Sequence, residues 1–269
     1  MAEYADIARR VASLAPGVAL TGAGISAESG IMTYRDRGGL WDTYAEGDGG
    51  GMLGVLAAHP DKAPEILTGF FGALENSAPN PGHKALADLE EAGALAAVVT
   101  QNVDDLHGRA GTRTLFELHG NVYRMRCMSC GKRDRPARDE YFAFAKQVID
   151  TVRGFSLDRI AEVLPRCPEC NGMVRPDFVG FGEAVQDLPQ AAAAVDRAGW
   201  MLIAGTSGVV HPAASLPIRA ARNGSFVVEV NPEQSALTPH ADVFVQGRAG
   251  EVLPELARAV IEAREQGRG

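Results

Sequence analysis

Short apolar runs alternate along this chain with longer amphipathic stretches. That alternation is the pattern of a parallel sheet whose strands are covered by helices. It predicts strands at residues 18–21, 97–100, 115–118, 200–205, 226–230 and 243–245, and helices at 4–14, 83–91, 188–198, 212–222 and 251–265. Two segments break the rhythm: residues from about 34 to 82, rich in Gly and Pro with no clear strand, and residues from about 122 to 181, which carry every cysteine. Both read as insertions that build a second, smaller lobe. The expected division is a Rossmann-like parallel-sheet domain of residues 1–33, 83–121 and 182–266, with a small domain of residues 34–82 and 122–181.

Composition narrows the picture only modestly. A chain of 269 residues, 46% hydrophobic and 22% charged, can bury one good-sized core with a smaller appendage. Its net charge of −8 argues against nucleic acid as the main partner. The start MAEYADIARR has neither a basic leader nor an apolar segment. No apolar run approaches the roughly 20 residues that cross a bilayer. The expectation is therefore a cytoplasmic protein with no membrane partner, and a monomer is favoured.

Four constellations carry chemistry. The first is TGAGISAESG at 21–30, directly after the first strand. Gly22 and Gly24 would let backbone approach a phosphate, and the following helix start offers free N–H groups. The G-x-G-x-x-G fingerprint places its third glycine closer, however; here Gly30 follows Gly24 by six positions. Nor does a strand-ending acid follow at the expected distance, since Asp42 sits in a loop-like setting. The spacing disfavours an ordinary dehydrogenase and leaves a tight structural turn as the alternative.

The second is TQNVDDLH at 100–107. Parallel sheets place ligands at the C-terminal ends of their strands, so Gln101, Asn102 and Asp104 would offer polar groups to the same crevice. The alternative is a helix cap by Asn102 or Asp104. The third is His119 in LFELHGNV, at another strand end, where an imidazole can accept a proton near neutral pH. His59, His83, His107, His211 and His240 lie in helix-start or loop contexts and read as surface or packing residues. The fourth is CMSC at 127–130 with CPEC at 167–170. Cys127, Cys130, Cys167 and Cys170 supply the thiolates of a closed tetrahedral zinc site, structural because no position is left for a water.

These motifs together resemble the sirtuins, NAD-dependent protein lysine deacylases, over about residues 10–255. The resemblance rests on GAGISAESGI, YRDRGGLW, TQNVDDLH, the His-Gly pair at 119–120, both CxxC pairs, RPDFVGFGE, GTSGVVHPAASLP and VEVNPE. It implies that NAD is consumed. The acyl-amide oxygen attacks the ribose carbon bearing nicotinamide, an alkylimidate forms, and a histidine then serves as general base on a ribose hydroxyl. His119 matches that histidine, and Asn102 joins it as a catalytic candidate. Gly22, Ala23, Gly24, Ser26 and Glu28, with Tyr34 and Arg35 nearby, match the phosphate-contacting loop. Gln101, Asn102 and Asp104 match residues around nicotinamide and its ribose. Gly205, Thr206 and Ser207 match a second phosphate and ribose loop, Asn231 an adenosine-ribose contact, and Ala249 a backbone contact to adenine. Val179, Gly180, Phe181 and Gly182 match the strand that pairs with an acylated-lysine peptide. Val179 and Phe181 would flank the lysine stem.

Three departures from the family pattern bear on function. Met32, Tyr34 and Asp36 stand where proline, phenylalanine and glycine are usual. Between Cys130 and Cys167 lie 36 residues, and their YFAFAKQVIDTVRGFSLDRIAEVL could form two helices for lobe packing or for a partner. Phe71 and Leu74 occupy the positions of the tyrosine and arginine that hold succinyl or malonyl groups in some sirtuins, which implies an apolar pocket for acetyl or longer neutral acyl groups. The alternative activity is ADP-ribosyl transfer or NAD hydrolysis on the same fold, which Tyr34 keeps open. A non-catalytic NAD-sensing or zinc-ribbon module is disfavoured by His119.

Overall fold

The computed structural model of the chain describes residues 2–31, 51–152, 160–180 and 182–267. Tyr34, Arg35 and Phe181 lie outside these described residues.

A six-stranded sheet has the order β3-β2-β1-β7-β8-β9, and its neighbouring strands all run parallel. Its strands are β1 (Gly17–Thr21), β2 (Leu95–Thr100), β3 (Leu115–Glu117), β7 (Trp200–Ala204), β8 (Phe226–Asn231) and β9 (Val243–Gln246). Side chains alternate between its faces, as the pleat requires. Ala19, Val98, Leu202 and Val228 join one core with α1 (Ala2–Ala12), α4 (Pro81–Glu91) and α10 (Ala249–Gln266). Val18, Leu20, Ala97, Val99, Met201, Ile203 and Val227 join the other with α8 (Leu188–Val195) and α9 (Ser215–Arg222). Both faces are covered, which explains why the strands read as unbroken apolar runs.

The strand order reverses between β1 and β7, and their ends are level: Thr21 pairs with Thr100 on one side and with Ala204 on the other. The loops after these strands therefore emerge side by side at the switch point, where open α/β sheets bind ligands.

The insertions form helices and a three-stranded antiparallel sheet of order β5-β4-β6, from β4 (Gly120–Cys127), β5 (Arg133–Asp134) and β6 (Val174–Phe178). The segment read as strandless contains α2 (Gly51–Ala58) and α3 (Ala63–Asn76). The stretch between the cysteine pairs forms α6 (Arg138–Val152) and a short α7 (Ile160–Val163). Helix α6 buries Tyr141, Ala145, Val148, Ile149 and Val152, one face at helical spacing. Val148, Ile149 and Val152 meet Val55, Leu56, Ile66 and Leu67 of α2 and α3. Of the two uses the sequence allowed, this face serves packing within the lobe.

That packing makes a prediction. Ile149→Asp would place an uncompensated carboxylate at a site only 8% exposed, costing on the order of several kcal/mol and lowering Tm by more than about 5 °C. Thermal unfolding that left Tm within a degree of wild type would show that the face is not packed.

Candidate active site

The two switch-point loops touch backbone to backbone. Gly24 N donates to Gly205 O at 2.8 Å, and Gly22 N to Ala204 O at 3.2 Å. A Cβ on Gly22 would lie 2.8 Å from Gly205 O, and one on Gly24 would lie 2.8 Å from Gly205 Cα. Gly205 has φ +62°, and a Cβ there would stand 2.3 Å from Ile25 N. Here the glycines first admit a second loop of the same chain, an occupant that spacing alone did not reveal. Beyond Gly22, residues Ala23–Ser29 form a 3-10 helix. Glu28 is exposed, and its carboxylate accepts Gly250 N at 2.7 Å, tying this turn to the start of α10 beside Ala249.

Behind the turn lies a closed polar cluster. Ser26, fully buried, donates to Asp104 Oδ2 at 2.6 Å and faces Asn102 Nδ2 at 3.1 Å and His83 Nε2 at 3.3 Å. A hydroxyl has one proton, so His83 must present Nε2–H to Ser26. Asp104 is only 4% exposed, and its other oxygen accepts Leu106 N at 3.0 Å. Burial raises the Asp104 pKa against the hydrogen bonds from Ser26 and Leu106. Asp104 thus takes the first N–H of the short helix α5 (Leu106–Ala110), close to the capping alternative for TQNVDDLH, and also holds Ser26. Ser26 and Asp104 support the crevice from behind instead of lining it. Asn80 completes the support: its Oδ1 accepts Gly82 N and His83 N, and its Nδ2 reaches Ile25 O at 2.7 Å. His83 and His107 are packing residues, with rings 4.8 Å apart; burial lowers His83 to about 4 and His107 well below its ordinary value. No spacing rule announces that His83 meets Ser26, 57 residues earlier.

Gln101 is the junction. Its backbone N donates to Thr21 O at 3.0 Å, and its Nε2 donates to Thr206 Oγ1 at 2.9 Å. Its carbonyl lies 2.9 Å from His119 Nδ1. A carbonyl can only accept, so Nδ1 carries the proton, and the neutral ring keeps its lone pair on Nε2. Burial lowers the His119 pKa below its ordinary value, opposed by this bond. Asn102 Nδ2 serves Gly22 O and Ser26, both at 3.1 Å, and among the described residues its Oδ1 has no hydrogen-bond partner. Asn231 likewise spends Nδ2 on Thr206 O and on the buried Glu229. It holds the second loop. Ser207 is exposed on that loop, and its carbonyl accepts Ala236 N at 3.1 Å.

His119 joins β3 to β4. The following Gly120 has φ +81°, and a Cβ there would lie 2.0 Å from Asp177 O, so the His-Gly pair is a steric requirement. Val179 N donates to His119 O at 2.8 Å, bringing Val179 and Gly180 beside the histidine. Leu74 is 1% exposed, in a cluster with Val122, Tyr123, Met125 and Tyr141, and the Phe71 ring stands edge-on to Tyr141 at 6.2 Å. Leu74 is thus closed off by protein, and Phe71 is only half-buried.

The four cysteine sulfurs lie within 4.8 Å of one another. Cys127–Cys170 measures 3.5 Å and Cys130–Cys167 3.7 Å, close to the edge of about 3.8 Å that Zn–S bonds of about 2.3 Å give a tetrahedron. The two knuckles share one backbone design. Cys127 N donates to Lys132 O and Cys167 N to Gly172 O, each at 2.8 Å, while Gly131 N and Asn171 N return to Cys127 O and Cys167 O. The donor set and its spacing fit one zinc ion.

Comparison with known proteins agrees with this arrangement. A model of the Sir2 family matches residues 22–212. An NAD-dependent protein deacylase of Thermococcus kodakarensis is 46% identical over 90% of each chain, and one of Pyrococcus abyssi is 42% identical over 95% of this chain and 97% of that one. The solved structure of a Sir2 homologue with NAD is 38% identical and superposes with a TM-score of 0.76 over 96% of this chain and 94% of that one. A Sir2 structure with a p53 peptide and NAD gives 31% and 0.72 over 98% of both chains. With its switch-point loops, its histidine at the sheet edge and its paired cysteine knuckles, the chain belongs to the Sir2 family.

Proposed function

We propose that the protein is an NAD-dependent protein lysine deacylase that removes acetyl or another neutral acyl group from lysine. The observation that carries the reading is His119, a neutral imidazole held at Nδ1 by Gln101 O with a basic Nε2. NAD supplies the ribose carbon from which nicotinamide departs and the hydroxyl that receives the acyl group. In this reading NAD belongs to the domain of residues 1–33, 83–121 and 182–266, and the zinc to that of residues 34–82 and 122–181. The His119 Nε2 takes the proton of a ribose hydroxyl. Asn102 Oδ1 accepts from the nicotinamide-side ribose or from water. Ala23 and Thr206 receive phosphates through backbone N–H groups, Gly24 and Ser207 shape the two loops that present them, and Asn231 and Ala249 meet the adenosine end. Val179, Gly180 and Gly182 pair with substrate main chain, a mode that accepts many sequences around one lysine.

His119→Ala should lower deacylation of an acetyl-lysine peptide by about a hundredfold or more while NAD affinity stays within a few-fold. Near-normal turnover would refute the role. Nicotinamide release that did not need the peptide would instead favour NAD hydrolysis. The base works only when neutral, and its pKa is displaced below the ordinary 6.5. In a pH series kcat/KM should therefore hold constant from neutrality down past 6.5 and fall only below that value; an acid limb at 7 or higher would contradict the assignment.

Purified protein should contain one zinc per chain. Cys167→Ala, at a site 3% exposed, should lose the metal and unfold at lower temperature, because binding and folding are coupled. Elemental analysis without zinc, or an unchanged Tm after chelation, would overturn the structural role.

Acetyl-lysine should be used at least about tenfold better than succinyl-lysine, since an unpaired desolvated carboxylate costs several kcal/mol. Residues 66–81 contain no Arg or Lys. Among the described residues two guanidinium groups reach this segment: Arg138 is occupied by Leu74 O and Glu75 O and by the Tyr123 and Phe142 rings, and Arg109 by Ser77 O. Equal kcat/KM on one peptide bearing each group would sink the idea.

A further inference from the structure

Residues 124–138 hold Arg124, Arg126, Lys132, Arg133, Arg135 and Arg138 in a protein of net charge −8. Three of these guanidinium groups converge on one carboxylate. Asp177 Oδ2 receives Arg124 Nε at 2.7 Å and Arg133 Nε at 2.8 Å, while Oδ1 faces Arg126 Nε at 3.3 Å and Gln186 Nε2 at 2.9 Å. The Asp177 side chain has no exposed surface. Burial alone would raise its pKa; the bonds from Arg124, Arg133 and Gln186 outweigh that and hold it below the usual carboxylate range.

The cluster reaches both sides of the candidate site. On one side Gln186, which donates to Asp177 through its side chain, donates through its backbone to Leu118 O at 2.9 Å, the residue before His119. On the other side Arg126 spans from Asp177 to Glu183 at 3.8 Å. Glu183 in turn accepts Gly180 N at 3.1 Å and pairs with Arg175 at 2.5 Å, fixing the turn that follows Val179. Asp177 itself sits opposite Asn121, one pair in from Gly120 opposite Phe178. The far end of the same two strands places Cys127 opposite Val174.

We propose that Asp177 is a positioning residue: by gathering Arg124, Arg126 and Arg133 it sets the distance between His119 and the substrate-pairing backbone at Val179, Gly180 and Gly182. The proposal rests on the deacylase reading above. A buried ion cluster adds little net stability over packed apolar side chains. What it supplies instead is a fixed geometry, because each oxygen of Asp177 has a defined donor. Asparagine keeps the shape but removes the charge that three arginines share, so both flanks loosen together.

The test uses the full-length, zinc-loaded protein with an acetyl-lysine peptide. For Asp177→Asn the expected result is a peptide KM raised about tenfold and a kcat lowered by tenfold or more, the scale that small misplacements of reacting groups produce. NAD affinity by calorimetry and zinc content should match wild type. Arg133→Gln removes a half-exposed arm and should move the same constants less. The double variant, with local charge rebalanced, should recover part of the peptide KM lost in Asp177→Asn. Unchanged peptide constants in a folded Asp177→Asn would overturn the proposal. If that variant does not fold, an unchanged peptide KM in Arg133→Gln overturns it. Peptide affinity measured by fluorescence anisotropy separates the two readings: a wild type that binds but does not deacylate refutes the deacylase reading, whereas equal peptide affinity in wild type and variants refutes the role of Asp177.

Discussion

The crevice depends on a contact that leaves no room for a side chain. Strands β1 and β7 end level, and the loops beyond them press together at Gly22, Gly24 and Gly205, with Gly24 N bonded to Gly205 O at 2.8 Å. A methyl group on any of these residues would meet backbone or Cβ atoms at 2.8 Å or less, closer than real Cβ contacts come. The floor of the site is therefore main chain from two separate βα units. Everything else leans on it: Asn102 on Gly22 O, Gln101 on Thr21 O and Thr206, and Asn231 on Thr206 O.

Those contacts reveal an economy of donors. Gln101, Asn102 and Asn231 all spend side-chain N–H groups on the scaffold, where buried carbonyls and hydroxyls need partners. Among the described residues none of their side-chain carbonyl oxygens has a hydrogen-bond partner, so the donors of these three amides are turned inward and only acceptors remain. The Ser26–Asp104–His83 cluster extends the same logic one layer deeper, since it holds the turn without facing the crevice.

The parallel sheet was legible in the sequence almost residue by residue, because strands covered on both faces need unbroken apolar runs and their helices need amphipathic ones. The cysteine knuckles were legible because two CxxC pairs permit few chemistries. His119 could be placed at a strand end, but its tautomer could not, since that depends on a carbonyl 18 positions away. The seclusion of Ser26 and Asp104 was equally hidden: polar residues in a loop look alike whether they face solvent or one another. The bounds of α2 and α3 were not legible in a Gly- and Pro-rich segment that showed only the lack of a strand; packing against α6 stabilises them, as tertiary contacts do for helices of modest propensity.

The two lobes are held together by different forces. The large sheet buries an apolar layer on each face, enough hydrophobic area to fix its strands without special devices. The small sheet has three strands, one of them only two residues long. Its apolar cluster around Val122, Tyr123 and Met125 gathers on α3 and α6. A sheet of that size needs a staple, and the cysteine cluster supplies one at one end of β4 and β6; the arginine–Asp177 cluster near the other end fixes geometry more than it adds stability. The basic run that looks out of place in an acidic protein is consumed there, in pairs with Asp105 and Glu169, and, for Arg138, on the carbonyls that end α3. Because β4 begins beside His119 and ends at Cys127, both clusters act on the strand that follows the histidine, and the order of the small sheet is tied to the placement of His119.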